Sequence, residues 1–241
     1  MPETAVVPAQ EDLGFARVDL DRVRRRGYPE AILAAGKTSA EILTIARSLV
    51  RSGASNVLVT RASGEGLAML ASSFRDAVVV PEAGLCVLNP DRRPGTGSVA
   101  VVAHRLEDVP VAEEAAHTAE AMGSAVHRHF DAPFSTPQRL PAWFAGLESP
   151  RVIVVAQGGG GALASVIAGL ARCVVVAVPT SSGSPLDGLP AMLAALNCCA
   201  PGVVVVNVDN GFGAGYTAHL VNTAGERRDW SPASRGECER G

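Results

Sequence analysis

Aromatic residues and lysine are scarce in this chain of 241 residues. Phe, Trp and Tyr together make up 4% of the sequence, and Lys37 is the single lysine among 21 basic residues. So few aromatic side chains argue against a surface that stacks exposed nucleobases. The formal net charge of −3 provides no basic face for nucleic acid or for an anionic membrane. We therefore expect a small-molecule or protein partner, with neither nucleic acid nor a membrane as a ligand.

The sequence also has no long apolar run and no export signal. No run of apolar residues reaches the length of about 18 that a membrane-spanning helix needs. The opening segment, MPETAVVPAQED, is acidic and lacks the positive region followed by an apolar stretch that export requires. These features predict a cytoplasmic protein.

Cysteine and histidine occur five times each, but their spacing does not indicate a metal site. No CxxC pair is present, and no histidine partners a cysteine at zinc-site spacing. An odd number of thiols fits a reducing compartment better than a disulfide scaffold. We expect no metal site and no tightly bound cofactor.

Turn-rich segments divide the chain into two units. Residues 1–15 are predicted to be a flexible terminus, and 16–96 a small α/β domain that ends at the turn-rich NPDRRPGTGS. A second domain is predicted over 97–223. The polar end, 224–241, is predicted to be a flexible tail that contains Cys238.

The second domain shows a regular alternation of strands and helices. Its strands read VAVVA, AVHRHF, VIVVA, CVVVAVP and VVVVNV, and helices are predicted at 109–122, 137–146, 160–171, 188–198 and from 213. Strands that are apolar on both faces and separated by helices predict a parallel sheet covered on both sides. Right-handed crossovers then give a three-layer, doubly wound α/β fold.

Loops at the carboxyl ends of these strands carry the candidate ligand contacts, because ligands of such sheets bind there. In AQGGGGALAS, glycine amides can approach a phosphate or carboxylate, although tight turning alone also explains the glycines, which are Gly158, Gly159, Gly160 and Gly161. The segment PTSSG forms either a plain polar loop or a binding loop of hydroxyls and amides, at Thr180, Ser181, Ser182 and Gly183.

Two further polar positions have a structural and a functional interpretation. In VNVDNGFGAG, the residues Asp209, Asn210 and Gly211 end a buried strand and either contact a ligand or cap the last helix. Asp108 precedes VPVAEE, at the expected N-cap of a helix with carboxylates in its first turn. Capping is the favoured role of Asp108, and ligand contact is the alternative.

Cys198 and Cys199 are adjacent and precede a predicted buried strand. A thiol becomes a nucleophile when a cation or a helix N-terminus lowers its pKa. These two residues close a predicted helix, where the helix dipole opposes thiolate formation. From the residues alone, buried packing is therefore favoured over chemistry.

Several segments resemble the nickel-pincer-nucleotide carboxylase family, LarB. They are ARVDLDRVRRRGYPEAILAAGKT, VLVTRAS, DVPVAEEAAHTAE, AVPTSSG, LNCCA and NVDNGFGAGY. The resemblance covers about residues 15–222, and its C-terminal half is similar to the aminoimidazole ribonucleotide carboxylase/mutase family, PurE. It implies a PurE-like, flavodoxin-like domain preceded by a smaller α/β domain.

The resemblance also implies a reaction. LarB proteins carboxylate the pyridinium ring of nicotinic acid adenine dinucleotide and cleave its phosphoanhydride, releasing AMP. A cysteine thiolate adds to the ring so that it can take up carbon dioxide, and the family's LNSCA motif places this cysteine at Cys199, with Cys198 in the position of the serine. Carbon dioxide or bicarbonate is then a co-substrate, magnesium is an optional assistant, and a symmetric homo-oligomer, an octamer or another assembly, is expected.

This chain departs from the family pattern in the predicted crevice. Where the family has GTSD, this chain has Arg105-Leu106-Glu107-Asp108, which keeps only the aspartate. Where the family has AGMEGALPS, Gly159 or Gly160 takes the place of the glutamate, so no carboxylate remains there for proton transfer. The loop after PTSxG is shorter. An unchanged fold with an altered substrate or reaction is expected.

Three functions remain as hypotheses. The first is a LarB-like carboxylase or decarboxylase of a heteroaromatic nucleotide, with Cys199 and Asp108 as catalytic residues. The second is a PurE-type enzyme, which the absence of that family's histidine loop disfavours. The third is a ligand-binding homologue without catalysis, which the missing glutamate favours. If Cys199 closes a helix that feeds a parallel strand, it lies opposite its own crevice, and a neighbouring subunit is expected to complete the site.

Overall fold

A computed structural model describes residues 9–225 of the chain. The predicted tail, with its Cys238, falls almost entirely outside the described residues. The first eight residues of the predicted flexible terminus also fall outside them.

The rest of that terminus begins a strand pair. β1 (Gln10–Asp12) pairs antiparallel with β2 (Arg17–Asp19). Glu11 of β1 accepts hydrogen bonds from Ser48 Oγ and Arg51 Nη2. The structure differs here from the expected flexible terminus, because the carboxylate of Glu11 finds partners on a helix of the first unit.

The first unit is a small mixed sheet with helices. Its remaining elements are α1 (Arg22–Arg26), β3 (Ile32–Leu33), α2 (Ser39–Arg51), β4 (Val57–Thr60), α3 (Gly64–Ser73), β5 (Val78–Val80) and β6 (Leu85–Leu88). The strand order is β3-β4-β6-β5, with β3 and β4 parallel and the other pairs antiparallel. α2 begins at a capping box, in which Thr38 and Glu41 bond each other's backbone amides.

The second unit alternates strands and helices as the apolar pattern predicts. Its elements are β7 (Thr96–Ala103), α4 (Val109–Ala121), β8 (Ser124–His129), α5 (Leu140–Ala145), β9 (Val152–Gln157), α6 (Ala162–Leu170), β10 (Val174–Pro179), α7 (Leu189–Leu196), β11 (Val203–Val205) and α8 (Gly211–Asn222). All four strand pairs are parallel, in the order β8-β7-β9-β10-β11.

Helices cover both faces of this sheet. Val99 and Val101 of β7 pack in one cluster with α4 and α8, whereas Ala100 and Val102 pack in another with α5, α6 and α7. Successive residues of a strand point to opposite faces, so a strand that is apolar throughout serves both clusters. The predicted three-layer, doubly wound, flavodoxin-like fold is confirmed.

Among the element bounds that differ from the prediction, three lie near the candidate ligand contacts or the cysteine pair. α7 ends at Leu196, so Cys198 and Cys199 lie just beyond the helix rather than in its last turn. β11 ends at Val205, three residues before the predicted end. α8 begins two residues early, because Asn210 Oδ1 accepts the amide of Gly213 at 2.8 Å and caps the helix.

Candidate functional site

The candidate site is a crevice at the carboxyl ends of β7, β9 and β10. The chain order of the strands reverses between β7 and β9, and the connections leave this point toward opposite faces of the sheet. Such a switch point opens a crevice between the loops that follow the two strands. Those loops contain Asp108 and the four glycines, and the loop after β10 contains Thr180.

Asp108 is fully buried and connects these loops. Its Oδ1 accepts hydrogen bonds from Gly158 N at 3.0 Å and from Thr180 Oγ1 at 2.5 Å. Its Oδ2 has no hydrogen-bond partner among the described residues. Burial raises the pKa of Asp108, and the bonds from Thr180 and Gly158 and the charge of Arg105 oppose this rise.

The favoured N-cap role of Asp108 is wrong. A 3-10 turn, Leu106–Asp108, leads directly into α4, and Asp108 itself has helical backbone angles of φ −88° and ψ −17°. In this conformation the side chain makes no cap hydrogen bond with α4. It reaches instead across the crevice, and fixes the loops after β9 and β10 relative to α4.

Two of the four glycines are required by close packing. A Cβ at Gly158 would lie 2.7 Å from both Ser182 O and Thr180 Oγ1. A Cβ at Gly161 would lie 2.7 Å from Ala191 O, and its φ of +64° also favours glycine. Tight packing therefore explains both residues without a ligand.

The other two glycines face more open space. Among residues 9–225, a Cβ at Gly160 would meet no atom within 4 Å, and a Cβ at Gly159 would meet only Arg105 Nη1, at 3.8 Å. Next to them, Gln157 Oε1 accepts the amide of Leu163 at 2.5 Å and satisfies a donor at the start of α6. Gly159 and Gly160 thus fit the predicted ligand contact better than their two neighbours do.

The loop after β10 is tied to the loop before α8. Thr180 is fully buried, and its hydroxyl is committed to Asp108. Ser181 N donates to Asp209 Oδ1 at 2.8 Å, and Asp209 N donates to Pro179 O at 2.9 Å. These bonds hold Asp209 in the left-handed region, at a φ of +54°. The structure thus brings the predicted loops together, with Thr180 as a positioning group.

Asn210 and Gly211 anchor the start of α8. Asn210 is its N-cap, so the capping interpretation is confirmed for this residue, and its contact with a ligand stays a prediction. Gly211 is buried, and a Cβ there would lie 2.7 Å from Glu114 Oε2. The absence of this Cβ lets α8 begin directly against α4.

Sequence reasoning missed Arg61 and Glu114. They line a cavity of about 310 Å³ between the two units, together with Ala83, Pro110, Val111 and Asp209. Arg61 Nη2 donates to Asp209 O at 2.9 Å, across the two units. Glu114 is buried, and its Oε1 has no hydrogen-bond partner among the described residues. Burial raises the pKa of Glu114, and the charge of Arg61 opposes this rise. The sequence feature that could have indicated Glu114 is a charged residue among the alanines of α4.

The structure places Cys199 away from this crevice. It is exposed, whereas Cys198 is half-buried, so buried packing is wrong for Cys199. Both follow α7 and precede β11, which puts them at the amino ends of the strands. β10 spans six residues, so about 20 Å separates the two ends of the sheet. The predicted placement of Cys199 opposite its own crevice is therefore confirmed.

Within residues 9–225, no group of three or more His, Cys, Asp or Glu side chains is arranged to hold a metal ion. His117 does lie close to Glu113 and Glu120, but Arg128 donates hydrogen bonds to both carboxylates. In the same part of the chain, no helix combines the length and apolar character needed to cross a bilayer.

The fold and crevice define a doubly wound α/β protein with a candidate ligand site at the switch point of its sheet. A family model described as "LarB/PurE-like N-terminal domain" matches residues 10–91, and one described as "AIR carboxylase" matches residues 98–230. "Uncharacterized protein MJ0165" of Methanocaldococcus jannaschii is 32% identical over 216 residues, which cover 85% of this chain and 83% of that protein. The chain belongs to the LarB family, as the resemblance predicts.

Proposed function

We propose that this protein is a carboxylase or decarboxylase that acts on a nicotinate-type pyridinium nucleotide or a related heteroaromatic nucleotide, in the cytoplasm. The observation that carries the proposal is the pair of matched family models, in the LarB order, on a chain whose switch-point crevice is intact. Carbon dioxide or bicarbonate is the co-substrate, and no tightly bound cofactor is needed. The product would serve nickel-pincer cofactor synthesis.

The crevice residues have roles that follow from their surroundings. Asp108 has a pKa raised by burial, so it is suited to hold a proton that a reacting ring gives or takes. Asp209 and Asn210 form the polar wall next to it. The amides of Gly159 and Gly160 are the groups that contact an anionic part of the substrate.

Cys199 is the proposed nucleophile. Addition of its thiolate to the electron-poor pyridinium ring makes the ring electron-rich, so that a ring carbon attacks carbon dioxide. That carbon then loses its proton, and the carbon–sulfur bond breaks to release the thiolate and restore the aromatic pyridinium. The length of β10 places the thiol about 20 Å from the crevice of its own subunit. Cys199 therefore acts in the crevice of a neighbouring subunit.

Exposed apolar residues next to the thiol support such an assembly. Leu189, Leu193 and Leu196 form an exposed stripe at helical spacing along α7, directly before Cys198 and Cys199. Val204 of the edge strand β11 is exposed as well. Apolar patches of this kind mark protein interfaces. Light scattering of the full chain is expected to give a symmetric homo-oligomer.

A labelling experiment tests the reaction. The full chain is incubated with nicotinic acid adenine dinucleotide or nicotinate mononucleotide and ¹³C-bicarbonate, and products and peptides are analysed by mass spectrometry. A labelled carboxyl group on the pyridinium product and an adduct on Cys199 are expected. Cys199→Ser should lower the rate roughly 100-fold or more, whereas the matched control Cys198→Ser should stay active. Equal rates in the two variants would contradict the adduct mechanism.

A non-catalytic binding protein is the second candidate. It is favoured by the glycine loop, which carries no carboxylate between Gly158 and Gly161. Alkylation of Cys199 measured across pH separates the two functions. The enzyme proposal expects Cys199 to react faster than the thiol of an unfolded peptide at the same pH, whereas equal rates favour the binding protein.

A further inference from the structure

Arg105 lies at the mouth of the crevice. Its Nη2 is 2.8 Å from the position that a Cβ would take at Gly183, and its Nη1 is 3.8 Å from the corresponding position at Gly159. Gly183 has a φ of +61°, so its backbone and the neighbouring guanidinium both favour glycine here. The Arg105 side chain is 36% exposed, which leaves the guanidinium accessible to a ligand in the crevice.

Glu107 is the carboxylate that pairs with Arg105 among the described residues. Arg105 Nη2 donates to Glu107 Oε1 at 3.0 Å, and the Glu107 side chain is 52% exposed. Ion pairs this exposed contribute little to stability, because water and salt screen them. An anion that binds the guanidinium can therefore displace Glu107 at small cost.

The surroundings of the guanidinium suit a phosphate. A guanidinium presents a planar fork of donors that matches two phosphate oxygens. Gly159, which faces it, has no side chain that could shield the fork from a ligand. The other nearby carboxylate, Asp108, is buried, and its Oδ1 is turned toward Gly158 and Thr180. Glu107 is thus the competitor that an incoming anion meets.

We infer that Arg105 binds the phosphate of the substrate nucleotide, and that Glu107 forms an ion pair with the guanidinium until that phosphate displaces it. This inference rests on the proposed function, since it assigns the group by which the same crevice recognises a nucleotide. The ligand class is a phosphate monoester. Free phosphate shares its chemistry and serves as a separate arm of the test.

Calorimetric titration of the full chain tests the inference with nicotinate mononucleotide, the unphosphorylated riboside, AMP and inorganic phosphate. Arg105→Gln should weaken mononucleotide binding about tenfold or more and leave riboside binding unchanged, because a charged hydrogen-bond pair is lost. Glu107→Gln should strengthen mononucleotide binding about two- to fivefold, because the competing carboxylate is gone.

The matched control is Arg93→Gln, which breaks a surface ion pair with Asp91. Arg93 and Asp91 are two positions apart, as Arg105 and Glu107 are, but they lie outside the crevice. Arg93→Gln should change no affinity. Thermal melting checks that each variant is folded. Should Arg105→Gln not fold, Arg105→Lys keeps the charge without the fork and is expected to weaken mononucleotide binding severalfold.

The outcomes separate this inference from the proposed function. If the mononucleotide does not bind but AMP binds with the expected dependence on Arg105, the pyridinium substrate is wrong and the phosphate role stands. If carboxylation is observed but Arg105→Gln weakens the mononucleotide and the riboside equally, the phosphate role is overturned. It is also overturned if only inorganic phosphate depends on Arg105, or if Glu107→Gln weakens binding.

Discussion

The carboxyl group of Asp108 lies in an environment that disfavours its ionised form. Within the described part of the chain, one of its oxygens accepts two hydrogen bonds and the other accepts none. Loss of hydration raises its pKa above the ordinary value of 3.8. The folded protein therefore holds this proton more tightly than the unfolded chain does. The stability contributed by protonation of Asp108 is fully present below pH 3.8 and is lost as the pH rises through the folded pKa.

Asp108→Asn should remove this dependence. The amide keeps the Oδ1 acceptor but cannot ionise, so the variant should gain stability relative to the wild type as the pH rises from 3.8 through the folded pKa of Asp108. Urea unfolding at a series of pH values measures the difference. Because Glu114 is present in both proteins, its own raised pKa cancels.

Asp76→Asn is the control for this measurement, because Asp76 is exposed. Subtracting its profile from that of Asp108→Asn removes the general effect of replacing one exposed carboxylate. A pH-independent difference for Asp108→Asn would show that burial of Asp108 does not perturb its ionisation.

At the scale of elements, the approach of α8 to α4 sets one wall of the crevice. Gly211 and Gly215 are four residues apart on α8 and face α4. A Cβ at Gly215 would overlap the carbonyl oxygen of Ala115 and lie 2.8 Å from Thr118 Cβ. The two glycines thus allow close helix contact, and the contact positions the loop that carries Asp209.

Gly215→Ala should destabilise the protein by about 1–3 kcal/mol, because the added methyl group forces α8 away from α4. Gly169→Ala on α6 is the matched control, since a Cβ there would meet no atom of the described residues within 4 Å. It should stabilise the protein by roughly 0.5 kcal/mol through helix propensity. Urea unfolding measures both, and equal effects would show that the α4–α8 contact tolerates a side chain.

The apolar strands and their parallel pairing could be predicted at this scale, because buried parallel strands separated by helices have a distinctive pattern. The role of Asp108 could not be predicted, since its partners Gly158 and Thr180 lie 50 and 72 positions away. The exposure of Cys199 depends on α7 ending at Leu196, and helix ends are poorly marked by an apolar run without a terminal glycine.

At the scale of the whole molecule, the first unit packs against the helices of the second. Leu58 and Leu85 belong to an apolar cluster that also includes Phe212 of α8. Tyr28 OH donates to Tyr216 OH across the same interface. The predicted boundary near residue 96 gave no sign of this contact, because alternation within each unit does not encode how two units dock. The Arg61 and Glu114 cavity was missed for the same reason.

The separation of Cys199 from Asp108 leads to a prediction about the assembly. The two residues lie at opposite ends of strands about 20 Å long, so a site that needs both draws them from different subunits. Cys199→Ser and Asp108→Asn proteins should each be inactive alone in the carboxylation assay. Subunits mixed during refolding should regain about a quarter of the wild-type rate, since random pairing gives one site in four both intact residues. If mixed oligomers form but stay inactive, Cys199 and Asp108 do not share a site between subunits.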